Sequence, residues 1–123
     1  MEKLHTREIR FIRIGLAVVF LANALTAIFN PGEFIELIEH SFIGIIIPSA
    51  IALKIIIIND SLLSIFILFC RKWHWQIFAW AMVWIMIVLL ALGNPINILE
   101  ESGFFFMALA LFFHARKMRE LNN

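Results

Sequence analysis

The chain has 123 residues, of which 63% are hydrophobic and 15% are charged, and its formal net charge is +1. Soluble domains average roughly 45–50% apolar and about 25% charged residues, and a domain of this length buries only about two thirds of its unfolded surface. A soluble fold would therefore expose much of this apolar excess, whereas a lipid bilayer would solvate it. The balanced charge, with no basic stripe along the chain, also argues against a nucleic-acid partner.

The first predicted transmembrane helix covers about residues 9–29 and contains the uncharged run IGLAVVFLANALTAIF. The Asn30-Pro31 pair is expected to end it, because proline removes a backbone donor and disfavours helix in the residue before it. A cleaved signal peptide with its cleavage site at Ala22-Asn23-Ala24 is the alternative interpretation, although the apolar run continues past that site.

The next segment, about residues 33–47, is predicted to be a short interfacial helix. Glu33, Glu36 and His40 lie three and four residues apart, with apolar residues between them. This pattern is typical of a helix that lies in the plane of the membrane surface. The residues expected to end this helix are Gly44 and Pro48.

The second predicted span, about residues 49–70, places Asn59 and Asp60 between two apolar runs, in the stretch KIIIINDSLLSIFILFC. In water these letters would also fit two strands joined at an Asn-Asp turn. In lipid they fit one helix, because Asp costs about 2.5–3.5 kcal/mol at mid-span while each surrounding Ile, Leu or Phe returns roughly 0.3–0.6 kcal/mol. An acid at that depth is expected to face the bundle interior, either protonated and hydrogen-bonded or paired with a polar neighbour.

The third and fourth predicted spans cover about residues 76–93 and 99–115. The third is closed by the pair Asn94-Pro95, and the fourth contains the run FFFMALALFF. The sequence therefore predicts an all-α protein, an integral membrane four-helix up-and-down bundle with a short interfacial helix after the first span. No linker indicates a second domain, so residues 1–123 are expected to form a single transmembrane domain.

The distribution of basic residues predicts the orientation of this bundle. Nine of the ten Lys and Arg residues lie in three alternate segments: the N-terminus, the connection between the second and third spans, and the C-terminus. Cytoplasmic segments are rich in Lys and Arg near the ends of spans. We therefore expect a multi-pass protein of the cell membrane with both termini in the cytoplasm and the interfacial helix outside.

The first span and its flanks resemble the opening of DoxX-like membrane proteins. Shared features are an Arg leading into a Gly-Leu run, a Phe-Leu pair and a closing Asn-Pro, carried here by Arg13, Gly15, Phe20, Leu21, Asn30 and Pro31. In the second span an acid, a small residue, a Leu and a basic residue match at Asp60, Ser64, Leu68 and Arg71. In the fourth span the resemblance lies in an acid followed by ALALFF, at Glu101 and residues 108–113.

The resemblance implies a four-helix integral membrane protein. The family takes its name from a subunit associated with quinone-linked sulfur oxidation, so the resemblance also suggests a quinone as a ligand. The residues themselves predict no cofactor and no catalytic group. The single cysteine, Cys70, excludes an internal disulfide and has no partner for a CxxC pair.

A ligand-binding or intramembrane polar site is predicted from four residues, Asp60, Asn23, Trp84 and Glu101. By the rise of a helix, Asp60 and Asn23 lie about 15–16 Å from the same membrane face, so Asp60 is expected to pack toward Asn23. Trp84 lies one turn from Trp80. The two indoles are expected either to form a stacking wall for a quinone ring or to pack in the core and against lipid.

Three of the four histidines, His5, His74 and His114, are expected near the cytoplasmic face. Imidazoles from three segments are able to bind zinc, but these lack the i, i+4 spacing and the cysteine partner of common zinc motifs. They are therefore interpreted as interfacial polar residues, and no metal site is predicted.

Two functions stay open from the sequence. The absence of nucleophile, metal and phosphate motifs in a chain with short loops predicts a non-catalytic membrane subunit or scaffold, for example of a redox-linked complex. Its partners would be the lipid bilayer and other membrane proteins or further copies of the chain. The acid inside a span and the Trp pair predict instead the binding or transport of a quinone or a solute. An enzyme with its own redox centre is the least favoured interpretation, because the sequence lacks the ligands for one.

Overall fold

The structure, a computed structural model, describes residues 2–40, 43–91 and 95–122. Within these ranges the chain forms six helices and no strand: α1 (Glu2–Phe29), α2 (Pro31–Glu39), α3 (Ile43–Ile46), α4 (Ser49–Phe69), α5 (His74–Ala91) and α6 (Pro95–Asn122). The stretch that would also fit two strands lies within α4, so the helical interpretation of it is confirmed.

Four of these helices are long and apolar enough to cross a membrane. The spans are Arg7–Phe29 in α1, Ser49–Phe69, His74–Ala91, and Pro95–Leu121 in α6. A transmembrane helix needs about 20 residues, with a range of about 17–25 or more when tilted, and all four meet this requirement. The chain is therefore a small multi-pass membrane protein, and the predicted all-α four-helix bundle is confirmed.

Some helix bounds differ from those expected. α6 begins at Pro95 rather than near residue 99, because proline suits the first helical position, where its missing N–H removes no bond. The segment expected to form one interfacial helix contains two, since α2 ends at Glu39 and His40 adopts a turn conformation. Residues 41–42, and the expected end of the third span at residues 92–93, lie outside the described residues.

The four long helices form a ring. α1 packs most extensively against α4, and α5 against α6, while contacts between α1 and α6 and between α4 and α5 close the ring. The short connection at residues 70–73 makes α4 and α5 antiparallel. α2 packs on α1 and α4 beside the C-terminal end of α1.

The two faces of α4 have the polarity expected in lipid. Its buried face includes Asn59, Asp60 and Ser64. Its exposed face is an apolar stripe at intervals of three and four residues, formed by Ile51, Ile55, Ile58, Leu62, Ile65 and Phe69. A soluble bundle would expose the polar face and bury the apolar stripe. The exposed stripe therefore faces lipid, while the polar groups are satisfied inside the protein.

Small residues allow α1 to approach its neighbours closely. Ala17, Ala24 and Ala27 lie on the buried face of α1, and each is 1% exposed. The Ser64 hydroxyl of α4 donates a 2.9 Å hydrogen bond to the backbone carbonyl oxygen of Ala17. A side chain as short as serine reaches that oxygen only when the two helices are close, which is the packing that small residues permit in membranes.

Apolar side chains fill the middle of the bundle. This central core consists of Leu16, Ala17, Phe20, Leu63, Ile67, Ile77, Phe78, Ala81, Ile85, Ala108 and Leu111. It lies between two cavities. Phe20 and Ile85 are on the wall of one cavity, and Phe78 and Leu111 are on the wall of the other.

Gly44 lies where α3 comes closest to α2. A Cβ atom at this position would meet the backbone carbonyl oxygen of Ile38 and would lie 3.1 Å from the Cα of Glu39. Gly44→Ala should therefore push α3 away from α2 and lower the free energy of unfolding by about 1 kcal/mol, measured by thermal unfolding in detergent. Gly32→Ala in α2 is the matched control, because a Cβ there meets nothing within 4 Å. An equal loss of stability in both variants would contradict this explanation.

Candidate functional site

The four residues predicted for the polar site all line one cavity of about 400 Å³. Asn23 comes from α1, Asp60 from α4, Trp84 from α5 and Glu101 from α6, so each long helix contributes one of them. The short helix α2 adds part of the wall, with Glu33, Phe34 and Leu37. We call this space the acidic cavity.

Asp60 is 3% exposed, and two N–H donors hold its carboxyl group. Trp84 Nε1 donates a 3.0 Å hydrogen bond and Asn59 Nδ2 a 3.1 Å hydrogen bond, both to Oδ1 of Asp60. The bond from Trp84 joins α5 to α4. Among the described side chains none donates to Oδ2, so this oxygen is available to a donor on a ligand.

The expected packing of Asp60 toward Asn23 stays a prediction, and the hydrogen-bond partners of Asp60 are other residues. Both residues line the acidic cavity, but no hydrogen bond joins these two described side chains. The donors to Asp60 are instead its chain neighbour Asn59 and Trp84 of the adjacent helix α5. Counting residues gives depth along a helix axis but not the direction in which a side chain leaves the helix, and the direction selects the partner.

Trp80 and Trp84 do not share a wall of the cavity. Trp84 lines it, whereas Trp80 packs against the central core and against Phe66, with ring centroids 6.4 Å apart. Of the two roles expected for the indoles, Trp80 therefore has the packing role. Trp84 is a wall residue and also the donor to Asp60.

All charged side chains on the walls of the acidic cavity are acids, namely Glu33, Asp60, Glu100 and Glu101. No Lys, Arg or His from the described part of the chain lines it. Its other described polar side chains are the amides of Asn23 and Asn97, the indole N–H of Trp84 and the hydroxyl of Thr26. Trp84 already donates to Asp60, and Thr26 donates a 2.8 Å bond to the carbonyl oxygen of Ala22. Acceptors thus outnumber donors, which favours a ligand that carries N–H or O–H groups or a positive charge.

A second cavity, of about 390 Å³, lies at the opposite end of the bundle. Its charged and imidazole side chains are Arg10, Arg13, Arg71, Lys72, His74, His114 and Arg119. No Asp or Glu in the described ranges lines this space, which we call the basic cavity. From the sequence, the basic residues predict the orientation of the bundle and the two histidines enter the zinc hypothesis, but a shared cavity is not among the predictions. The sequence feature that could have predicted this cavity is the alternation of the basic segments, because an up-and-down bundle brings all three to the same end.

The histidines of the zinc hypothesis are only partly described. His74 and His114 both line the basic cavity, while the side chain of His5 lies outside the described part of the chain. Across that part, no group of three or more His, Cys, Asp and Glu side chains is arranged to hold a metal ion.

No family model, curated protein or solved structure matches this chain. The resemblance to DoxX-like proteins therefore stays a prediction from the sequence.

Proposed function

We propose that the protein binds a small amphipathic molecule in the acidic cavity, with an N–H-bearing or positively charged group of that molecule at Asp60. The observation that carries the proposal is a buried acid in the middle of a span, on the wall of a cavity of about 400 Å³, with one carboxyl oxygen that no described side chain donates to. Ionisable residues inside membranes are costly and commonly mark ligand or ion sites. The volume lies within the range of about 300–1,000 Å³ that small-molecule sites occupy.

The walls of the acidic cavity favour an amine over a quinone. A quinone offers carbonyl acceptors, and the wall offers mainly acceptors in return, so the two match poorly. A quinol carries two O–H donors and suits Oδ2 of Asp60 better. If the resemblance to DoxX-like proteins extends to the ligand, the reduced form is the one that this cavity favours.

The central core favours a binding site at one end of the bundle and argues against an open passage through the bundle. It fills the space between the acidic and basic cavities with apolar side chains, and Leu16, Leu63 and Ile67 are each 0% exposed. A polar or charged solute would lose its hydrogen bonds on entering this layer. Transport through the bundle would therefore require the core to open.

Three naphthalene derivatives with the same ring system test the chemical class of the ligand. The probes are 1-naphthylmethylamine, 1-naphthalenemethanol and 1-naphthoic acid, titrated into the purified full chain in neutral detergent and followed by calorimetry. We expect the protonated amine to bind at least about 10-fold more tightly than the acid, because a hydrogen bond to a charged group contributes about 1.5–3 kcal/mol. The same titrations into detergent alone correct for partitioning. Equal affinities for amine and acid would contradict the proposal.

A scaffold role is the other function expected from the sequence. It is tested by purifying the full chain from its membrane in mild detergent and identifying what remains bound. A protein that co-purifies in stoichiometric amount from mild detergent would support a subunit of a larger complex, such as a redox-linked one. A small molecule that co-purifies and is identified by mass spectrometry would support binding in the acidic cavity.

We also propose that both termini lie in the cytoplasm and that the acidic cavity lies toward the outer face of the cell membrane. The support is the collection of nine of the ten Lys and Arg residues in three alternate segments. In a Cys70→Ser background, cysteines at Glu36 and Asn97 should react with an impermeant maleimide in intact cells. A cysteine at Asn122 should react only after permeabilisation. Labelling at Asn122 alone would overturn this topology.

A further inference from the structure

Three separate parts of the chain bring permanent positive charge to the basic cavity. They are α1, the α4–α5 connection and α6, which contribute Arg10, Arg13, Arg71, Lys72 and Arg119. The ion pair of α6 at this end, Arg116 with Glu120 at 3.5 Å, is exposed and does not line the cavity. Positive charges gathered around one space repel each other. An anion inside that space would be attracted to each of them and would offset the repulsion.

Two nitrogen atoms at this cavity are buried and have no hydrogen-bond partner among the residues that the structure describes. They are Nε of Arg13 and Nε2 of His74, and both residues line the cavity. Buried polar groups in proteins almost always have a partner, so each exception needs an explanation. Arg13 is a donor only, and His74 Nε2 is a donor in one neutral tautomer and in the imidazolium form. A ligand with several acceptor oxygens would satisfy both atoms.

The remaining walls of the basic cavity are apolar or aromatic. They consist of Ile9, Trp75, Phe78, Leu111, Ala115 and Met118. The guanidinium carbon of Arg119 lies 4.7 Å from the centroid of the Trp75 ring, a cation–π contact that holds this cation in place. Charged groups beside apolar walls, at the end of a membrane bundle, fit a molecule with an anionic head and an apolar body.

We propose that the basic cavity is a phosphate-binding site that takes the headgroup phosphate of an anionic phospholipid. One guanidinium group donates two parallel hydrogen bonds to the oxygens of a phosphate group, and several guanidinium groups converge on the basic cavity. Basic pockets between membrane helices suit anionic lipid headgroups. A soluble phosphate compound would offer the same oxygens, so the experiment has to separate the two sources.

The test uses the full chain in neutral detergent, after exchange of bound lipid, with three probes. They are phosphatidylglycerol, phosphatidylcholine with the same acyl chains, and inorganic phosphate. Native mass spectrometry and the thermal unfolding temperature are the readouts. We expect phosphatidylglycerol to bind at least about 10-fold more tightly than phosphatidylcholine and to raise the unfolding temperature. Equal stabilisation by inorganic phosphate alone would assign the site to a soluble phosphate compound. Equal binding of both lipids without an effect of phosphate would overturn the proposal.

Variants at the same end of the bundle separate a site from general charge attraction. Arg71→Gln changes an exposed residue of the α4–α5 connection and should lower the affinity for phosphatidylglycerol at least about 10-fold. Arg13→Gln should have the same effect, and Arg71→Gln decides alone if Arg13→Gln does not fold. Arg116→Gln, outside the cavity, is the matched control and should change nothing. Equal losses in Arg71→Gln and Arg116→Gln would overturn the proposal.

Discussion

Asp60→Asn is expected to leave the bundle folded and to weaken the binding of 1-naphthylmethylamine roughly 10- to 100-fold. Asparagine keeps a carbonyl oxygen that accepts the bonds from Trp84 and Asn59, so the contact between α4 and α5 persists. The negative charge is lost, and a hydrogen bond to a charged group contributes about 1.5–3 kcal/mol, which corresponds to this change in affinity. Calorimetry on the purified variant measures the loss.

Two further variants separate the charge of Asp60 from its structural role. Asp60→Leu removes both acceptor oxygens and leaves Nε1 of Trp84 without its partner, so stability in detergent should fall together with binding. Glu120→Gln removes an exposed acid far from the acidic cavity and should change neither property. If Asp60→Asn spares binding while Asp60→Leu lowers stability, Asp60 only ties two helices together. If Asp60→Leu changes nothing, the residue faces neither a site nor a partner.

The four spans could be predicted because each depends on local composition. An uncharged run of sufficient length and a proline at its end are visible without knowledge of any other part of the chain. The start of α6 could not be predicted in this way. The apolar run places the start of the fourth span near residue 99, whereas the helix begins earlier, at Pro95. Glu101 lies within both ranges and reaches the acidic cavity.

The depth of the site residues could be predicted, but their partners could not. A rise of about 1.5 Å per residue places Asp60 and Asn23 at similar depths. Successive residues on a helix point about 100° apart, so a partner depends on how each helix is rotated against its neighbours. That rotation turns Oδ1 of Asp60 toward Trp84, and it separates the environments of Trp80 and Trp84.

The basic cavity could not be predicted for a related reason. The positions of Arg13, Arg71 and Arg119 in the sequence indicate one side of the membrane, but not a shared space. Their convergence depends on the ring that α1, α4, α5 and α6 form and on the central core ending at Phe78 and Leu111. Local composition contains the charges, and only the packed bundle brings them together.

Ala17→Ile is expected to lower the free energy of unfolding by about 1–3 kcal/mol, the usual cost of inserting atoms into a close-packed contact. Ala17 is 1% exposed, and its carbonyl oxygen accepts the hydroxyl of Ser64, so a branched side chain there has to push α1 away from its neighbours. Unfolding by denaturing detergent, followed by circular dichroism, measures the loss. Ala22→Ile makes the same change on the exposed face of α1 and should stay within about 0.5 kcal/mol of the parent.

Ser64→Ala shows how the stability of this contact divides between packing and hydrogen bonding. It removes only the bond to the Ala17 carbonyl oxygen, and hydrogen bonds between membrane helices contribute about 0.6 kcal/mol on average. Lipid chains are as apolar as the side chains between the helices, so the hydrophobic effect does not drive α1 and α4 together inside the membrane. Close packing should therefore account for most of the stability where α1 meets α4. Ala17→Ile should therefore cost more than Ser64→Ala. The opposite order, or equal losses in Ala17→Ile and Ala22→Ile, would show that close approach of the two helices is not what stabilises this contact.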